Sequence, residues 1–125
     1  MSPLTITARD AATGPVLEIT GDLDHHTAPQ LRQAVDALTL TGSRLLVLDL
    51  GGLDFCDSSG ITALLAARNI AAERGADIAL AAVPANPARI LRIVGLDQVF
   101  TIHPDADAAT VARGGTTSRQ ADSVP

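Results

Sequence analysis

Lysine is missing altogether: the nine basic residues are all arginine. That removes the lysine of a phosphate-binding P-loop and the amine of Schiff-base chemistry. Tryptophan and tyrosine are also absent, and Phe55 and Phe100 are the only aromatics. The core must therefore be aliphatic. One cysteine, Cys56, excludes an internal disulfide. Positive charge is scarce, with 9 Arg against 14 acidic residues and a net charge of −5. The lack of a basic run argues against nucleic acid or an anionic membrane as partner. No apolar stretch is long enough to span a bilayer. The start, Met1-Ser2-Pro3-Leu4-Thr5, lacks the charged region and apolar run of a signal peptide. These absences predict a water-soluble, cytoplasmic protein.

What is present suits one globular domain. The chain has 125 residues, 46% of them hydrophobic, enough to bury a real core. The stretch from Leu45 to Ala72 organises it. Leu45 to Leu50 is almost continuously apolar and bounded by Gly51-Gly52, the pattern of a strand covered on both faces. Ile61, Leu64, Leu65, Ala71 and Ala72 fall on one side of a helix. Between the two lie Asp57, Ser58 and Ser59, residue types that suit a helix start because their oxygens accept free backbone N–H groups. The same N–H groups and the helix dipole favour an anion there. A hydroxyl at this position can carry an added phosphate.

The remaining segments alternate in type. Leu4 and Ile6, then Val16 to Thr20, read as two strands joined at Thr13-Gly14-Pro15. Gly21 is expected to break the second strand, leaving Asp22 to His26 as a loop. Thr27 with Gln30 three residues later forms a capping-box pattern, with Pro29 in the first turn. Leu31, Ala34, Val35 and Leu38 follow at helical spacing, and Thr41-Gly42 ends the helix. After the central strand and helix, Asp77 to Val83 reads as a second inner strand. Asn86 as N-cap and Pro87 at the first helical position open a third helix, with Ile90, Leu91 and Val94 inward and Gly95 as its stop. Val99 to Ile102 reads as a short edge strand and Asp105 to Arg113 as a weak helix. Residues 114–125 have little to bury and read as a disordered tail, so the domain is placed at 1–113. Strands alternating with helices predict an α/β fold: a mixed, mostly parallel sheet with helices packed mainly on one face.

Two segments carry a family resemblance. Gly21-Asp22-Leu23-Asp24-His25-His26-Thr27-Ala28 and Leu53-Asp54-Phe55-Cys56-Asp57-Ser58-Ser59-Gly60-Ile61 resemble the second-strand exit and the phosphorylation loop of bacterial anti-sigma factor antagonists. These are single STAS domains (sulfate transporter and anti-sigma factor antagonist). The resemblance extends over residues 4–112 in element order. Cys56 departs from it, standing where a larger apolar residue is expected. The resemblance implies a STAS-like fold and partner switching. In that family an anti-sigma factor with serine kinase activity phosphorylates the first serine of the loop, which by position is expected to be Ser58. The unphosphorylated protein binds that factor and frees a sigma factor, and a serine phosphatase resets the switch.

Each candidate has a plainer alternative. Ser58 serves as phosphoacceptor or as a simple N-cap; Ser59 is the second-choice acceptor and the expected cap. Asp57 is a polar contact to the kinase partner's nucleotide region or to the Ser58 hydroxyl, or else a solvated loop carboxylate or alternative cap. Asp22, Asp24, His25 and His26 form a partner-contact loop beside Ser58, or a polar strand end. Together with Asp57, Ser58, Ser59 and Gly60 they make the expected partner-binding surface. No metal or cofactor is expected, since adjacent histidines diverge and no third ligand is evident. Asp49 resembles the acceptor of a receiver domain, but that chemistry needs an acidic pair and a lysine. A serine hydrolase is disfavoured because the Ser58 motif lacks the first glycine of a nucleophile elbow. A scaffold or stress-sensing subunit of a larger assembly is the other alternative to a phospho-switched binding module.

Overall fold

The computed structural model describes residues 3–40 and 44–115, with side chains as far as Thr110. Five strands form one sheet in the order β1-β2-β3-β4-β5: β1 (Thr5–Ala11), β2 (Gly14–Leu23), β3 (Leu45–Cys56), β4 (Asp77–Ala81) and β5 (Thr101–His103). β1 and β2 are an antiparallel hairpin. The other three pairings are parallel. Four helices connect or follow them: α1 (Ala28–Asp36), α2 (Ser58–Glu73), α3 (Ala85–Ile93) and α4 (Ala106–Gly115).

Strand alternation divides the core in two. Leu46, Leu48 and Leu50 of β3 join Leu17, Ile19 and Leu80 on one face, against Leu31 and Val35 of α1, Ile61, Leu64 and Ala67 of α2, and Leu91 of α3. Leu45 and Val47 point the other way, with Val16, Ala79 and Ala81, and meet Ala106 and Ala109 of α4. The first half of β3 is thus apolar on both faces because helices cover both. Three of the four helices lie on one face, as expected.

The structure moves several boundaries. β3 does not stop at Gly51-Gly52 but continues to Cys56. Two extra residues are inserted in it relative to β2, shown by register shifts between Glu18 and Thr20 and between Gly21 and Asp22. These are β-bulges. After Leu50 the inward positions become Leu53 and Cys56, and the pairs Gly51-Gly52 and Asp54-Phe55 face solvent. Alternation is lost there while pairing persists. Gly21 likewise does not end β2, which runs on through Asp22 and Leu23. Its φ of 98° is open to glycine, and a Cβ there would collide with the Pro3 carbonyl oxygen.

Smaller corrections concern the helices and strand ends. α1 ends at Asp36, with Ala37 as its C-cap; the end expected at Thr41-Gly42 lies outside the described residues. β4 stops at Ala81 because Ala82 adopts a φ of 54°. Pro84, not Asn86, stands at the N-cap of α3. That earlier start buries Pro87 and Leu91, while Val94, now the C-cap, is 56% exposed. α4 includes Gly114 and Gly115, and the rest of the expected tail lies outside the described residues.

Candidate functional site

The parallel ladder brings the two motifs together. Asp22 pairs with Phe55 and Leu23 with Cys56, at the C-terminal ends of β2 and β3. This is the edge at which α/β sheets usually meet their ligands. The Asp57 N–H reaches the Leu23 carbonyl at 3.4 Å. A Cβ on Gly60 would stand 2.6 Å from the Leu23 carbonyl oxygen and 2.7 Å from Cys56 Sγ. Only glycine lets the first turn of α2 sit this close to the end of β2.

The helix start is capped by Asp57. Its backbone is extended, and its Oδ1 accepts a hydrogen bond from the Gly60 N–H at 3.1 Å. Its carbonyl accepts from the Ile61 N–H at 3.0 Å. The cap is therefore neither Ser58 nor Ser59. Ser58 is the first residue of α2 and is exposed; Ser59 is half-buried. Ser58 contributes only its carbonyl, to the Thr62 hydroxyl at 3.0 Å. Neither serine hydroxyl has a hydrogen-bond partner among the described residues. Cys56, buried beneath, has its thiol pushed up to about 12 by desolvation and secondarily by the Asp57 charge.

The neighbouring loop is held by its own polar groups. Asp24 Oδ1 accepts from the N–H groups of His26 at 2.9 Å and Thr27 at 3.1 Å. Thr27 Oγ1 accepts from the Asp24 N–H at 2.9 Å and donates to the Asp22 carbonyl at 2.8 Å. The capping box expected of Thr27 and Gln30 does not form. The Thr27 hydroxyl is spent inside the loop, and Gln30 Nε2 donates to the Leu4 carbonyl at 3.0 Å. Burial pushes the Asp24 carboxyl up, but the Thr27 and His26 hydrogen bonds and the nearby His26 outweigh it, so the net direction is down from 3.8.

The expected partner-contact residues thus divide. Asp22 and Asp24 are buried, Asp24 as the organiser of the turn. His25 and His26 are exposed, with their rings edge to face at 5.7 Å. Asp57 is half-buried and Gly60 buried. Among the described residues no group of three or more His, Cys, Asp or Glu stands where it could hold a metal ion. Asp49 accepts from the Gly51 N–H at 3.0 Å and belongs to the first bulge.

Two features escaped the sequence reading. Phe55 is 51% exposed beside the serines. A groove of about 630 Å³ runs from Phe55, Asp57 and Ser58 to Pro84, the N-cap of α3, and to Arg89 and Ile90 in the middle of that helix. Phe55 carried a signal, since it precedes an inward Cys56 by one position. Arg89 carried none, because its place depends on how α3 crosses the sheet.

Comparison with known proteins agrees with this fold. The family described as "Mlab, STAS domain" matches residues 6–103. Anti-sigma-F factor antagonist RsfB of Mycobacterium tuberculosis is 31% identical over 120 residues, covering 93% of this chain and 95% of RsfB. An anti-sigma F factor antagonist of Paenibacillus polymyxa is 30% identical over 89 residues, 70% of this chain and 76% of its own. The crystal structure of an anti-sigma factor antagonist from Mycobacterium paratuberculosis superposes with a TM-score of 0.79 at 28% identity, covering 90% of this chain and 95% of that one.

Proposed function

The chain belongs to the STAS domain family, and we propose that it is an anti-sigma factor antagonist whose binding is switched at Ser58. The unphosphorylated protein binds an anti-sigma factor and frees a sigma factor. The anti-sigma factor is a serine kinase that transfers the γ-phosphoryl group of ATP to Ser58 Oγ, with ADP as the leaving group. The phosphorylated protein lets go, and a serine phosphatase restores it. These events take place in the cytoplasm.

One observation carries the reading. Ser58 is exposed at the first position of α2 while Asp57 does the capping. The hydroxyl is therefore not needed by the helix, and the helix start tolerates negative charge. His25, His26 and Phe55 stand exposed on the same edge and supply a contact surface around it. The chemistry comes from the partners: this chain has no lysine, and no histidine hydrogen-bonds either serine among the described residues. Such an arrangement supports a binding module rather than a hydrolase.

The test is phosphorylation by the cognate anti-sigma factor with ATP, read by fragment mass spectrometry. A single phosphoryl group is expected, on Ser58. Phosphate confined to Ser59, or undiminished incorporation into Ser58→Ala, overturns the assignment.

A further inference from the structure

We propose that Arg89 is a phosphate latch: its guanidinium receives the phosphate carried by Ser58 and draws α3 against the start of α2. The inference rests on Ser58 being the phosphoacceptor.

The charge in the groove points to it. Asp54, Asp57 and Arg89 line the cavity that also holds Ser58, and Arg89 is the only cation among its lining residues. Arg89 is exposed and has no hydrogen bond or ion pair among the described residues. By contrast Arg9 and Arg74 are engaged, with Glu18 at 3.2 Å and Asp36 at 2.6 Å. Two carboxylates and one guanidinium leave the groove net negative before modification. A phosphoserine adds about −1.5 to −2 charge at pH 7.

Part of the helix start is already committed. The Gly60 N–H is already given to Asp57 Oδ1 and the Ile61 N–H to the Asp57 carbonyl. Asp57 itself repels a dianion at the next residue. The opposite charge within the groove is Arg89, whose planar fork matches phosphate oxygens in pairs. Latching also narrows the apolar groove between Phe55 and Ile90. Phosphorylation then removes a docking surface as well as adding charge to it.

The experiment uses the full chain with phosphoserine installed at position 58 during translation, so no kinase is involved. The phosphate is titrated by phosphorus NMR. An isolated phosphoserine titrates near pH ~6. The latch predicts a midpoint roughly one unit lower in the wild-type background than without the Arg89 charge, as expected beside an opposite charge. Arg89→Gln should abolish that shift and Arg89→Lys should keep part of it. Arg92→Gln, three residues further on the same helix and outside the groove, should leave it in place. Circular dichroism of each variant checks the fold. An unchanged midpoint in Arg89→Gln, or an equal change in Arg92→Gln, overturns the latch. Neither result bears on whether the anti-sigma factor modifies Ser58, and a kinase that ignores Ser58 leaves the titration intact.

Discussion

Asp57 Oδ1 accepts the Gly60 N–H at 3.1 Å, and this contact releases Ser58 and Ser59 from the task their position would otherwise set them. A helix that begins with two serines can cap itself with either. Here the residue before them does so, and the hydroxyl at the first helical position stays exposed. The cap and the proposed switch thus fall to adjacent side chains.

Replacing that cap should therefore weaken the fold without touching the proposed acceptor, Ser58. Asp57→Ala is expected to lose about 1 kcal/mol of stability, the usual cost of an N-cap, and Asp57→Asn only a small part of it. Urea denaturation of both variants checks this. Equal stability of Asp57→Ala and wild type would mean that another group has taken over the cap.

Gly60→Ala sets two effects against each other. Alanine gains about 0.8–1 kcal/mol of helix propensity over glycine. Its Cβ, however, falls 2.6 Å from a main-chain oxygen, that of Leu23. The end of β2 must move to admit it, and overpacking of this kind costs about 1–3 kcal/mol. A net loss of stability is expected, together with weaker anti-sigma factor binding, since the same movement separates His25 and His26 from Ser58. Thermal melts and calorimetric titration of this variant report the two consequences separately. A variant that melts at or above wild type contradicts the predicted clash.

Asp24 ties acid stability to the site loop. Its folded-state carboxyl lies below its ordinary 3.8 because hydrogen bonds favour the ionised form. The stability this gives is complete above 3.8 and is lost as pH falls from there through the lower folded value. Asp24→Asn should be less stable than wild type at neutral pH, and the difference should shrink steadily below pH 3.8. A difference that stays constant with pH would show that Asp24 acts through shape alone.

The buried thiol makes an alkaline counterpart. With Cys56 held up to about 12 against an ordinary 9.0, stability is fully present below 9.0 and is lost as pH rises from 9.0 towards 12. Native protein at pH 8 should react with a thiol reagent far more slowly than urea-unfolded protein, because the nucleophile is the thiolate. Similar rates in the two states would mean that the site opens without unfolding.

The sequence disclosed element order and the place of Ser58 at a helix start well because both rest on local chemistry. Ser58 at a helix start, the apolar run of β3 and the Gly95 stop need only neighbouring residues to be read. What it hid depends on partners distant in the chain. The two bulges leave Gly51-Gly52 looking like a loop, although Leu50, Leu53 and Cys56 keep pointing inward at intervals of three. Thr27 and Gln30 have the spacing of a capping box, but the Asp22 and Leu4 carbonyls take their side-chain donors. Asp22 and Asp24 look like surface charges, but Asp22 pairs along β3 and Asp24 folds into the turn that follows, and both are buried. Propensity states what a residue can do locally, and tertiary contacts decide which option is used.

Negative charge at Ser58 should separate binding from folding. Two terms at the start of α2 act on the fold and oppose each other, and a pairing with the exposed Arg89 adds at most about 1 kcal/mol. The start of α2 favours a nearby anion by roughly 0.3–1 kcal/mol. The Asp57 carboxylate, adjacent in the chain, disfavours it by a comparable amount on an exposed surface. Because the Ser58 hydroxyl has no partner among the described residues, its modification breaks no existing bond. Melting temperature and far-ultraviolet circular dichroism should stay nearly unchanged in phospho-Ser58 protein and in Ser58→Asp. Binding has no such cancellation. A docked partner must desolvate the added charge, and any acidic group facing it adds a like-charge term of several kcal/mol. With about 1.4 kcal/mol per factor of ten, both modified forms should lose anti-sigma factor affinity at least roughly tenfold. Ser58→Ala should bind like wild type and fail to switch. Calorimetric titrations beside thermal melts on all four species decide the matter. Phospho-Ser58 protein that binds as tightly as the unmodified form rules out the electrostatic switch. Affinity that falls only in step with melting temperature means that the charge acts by disrupting the fold.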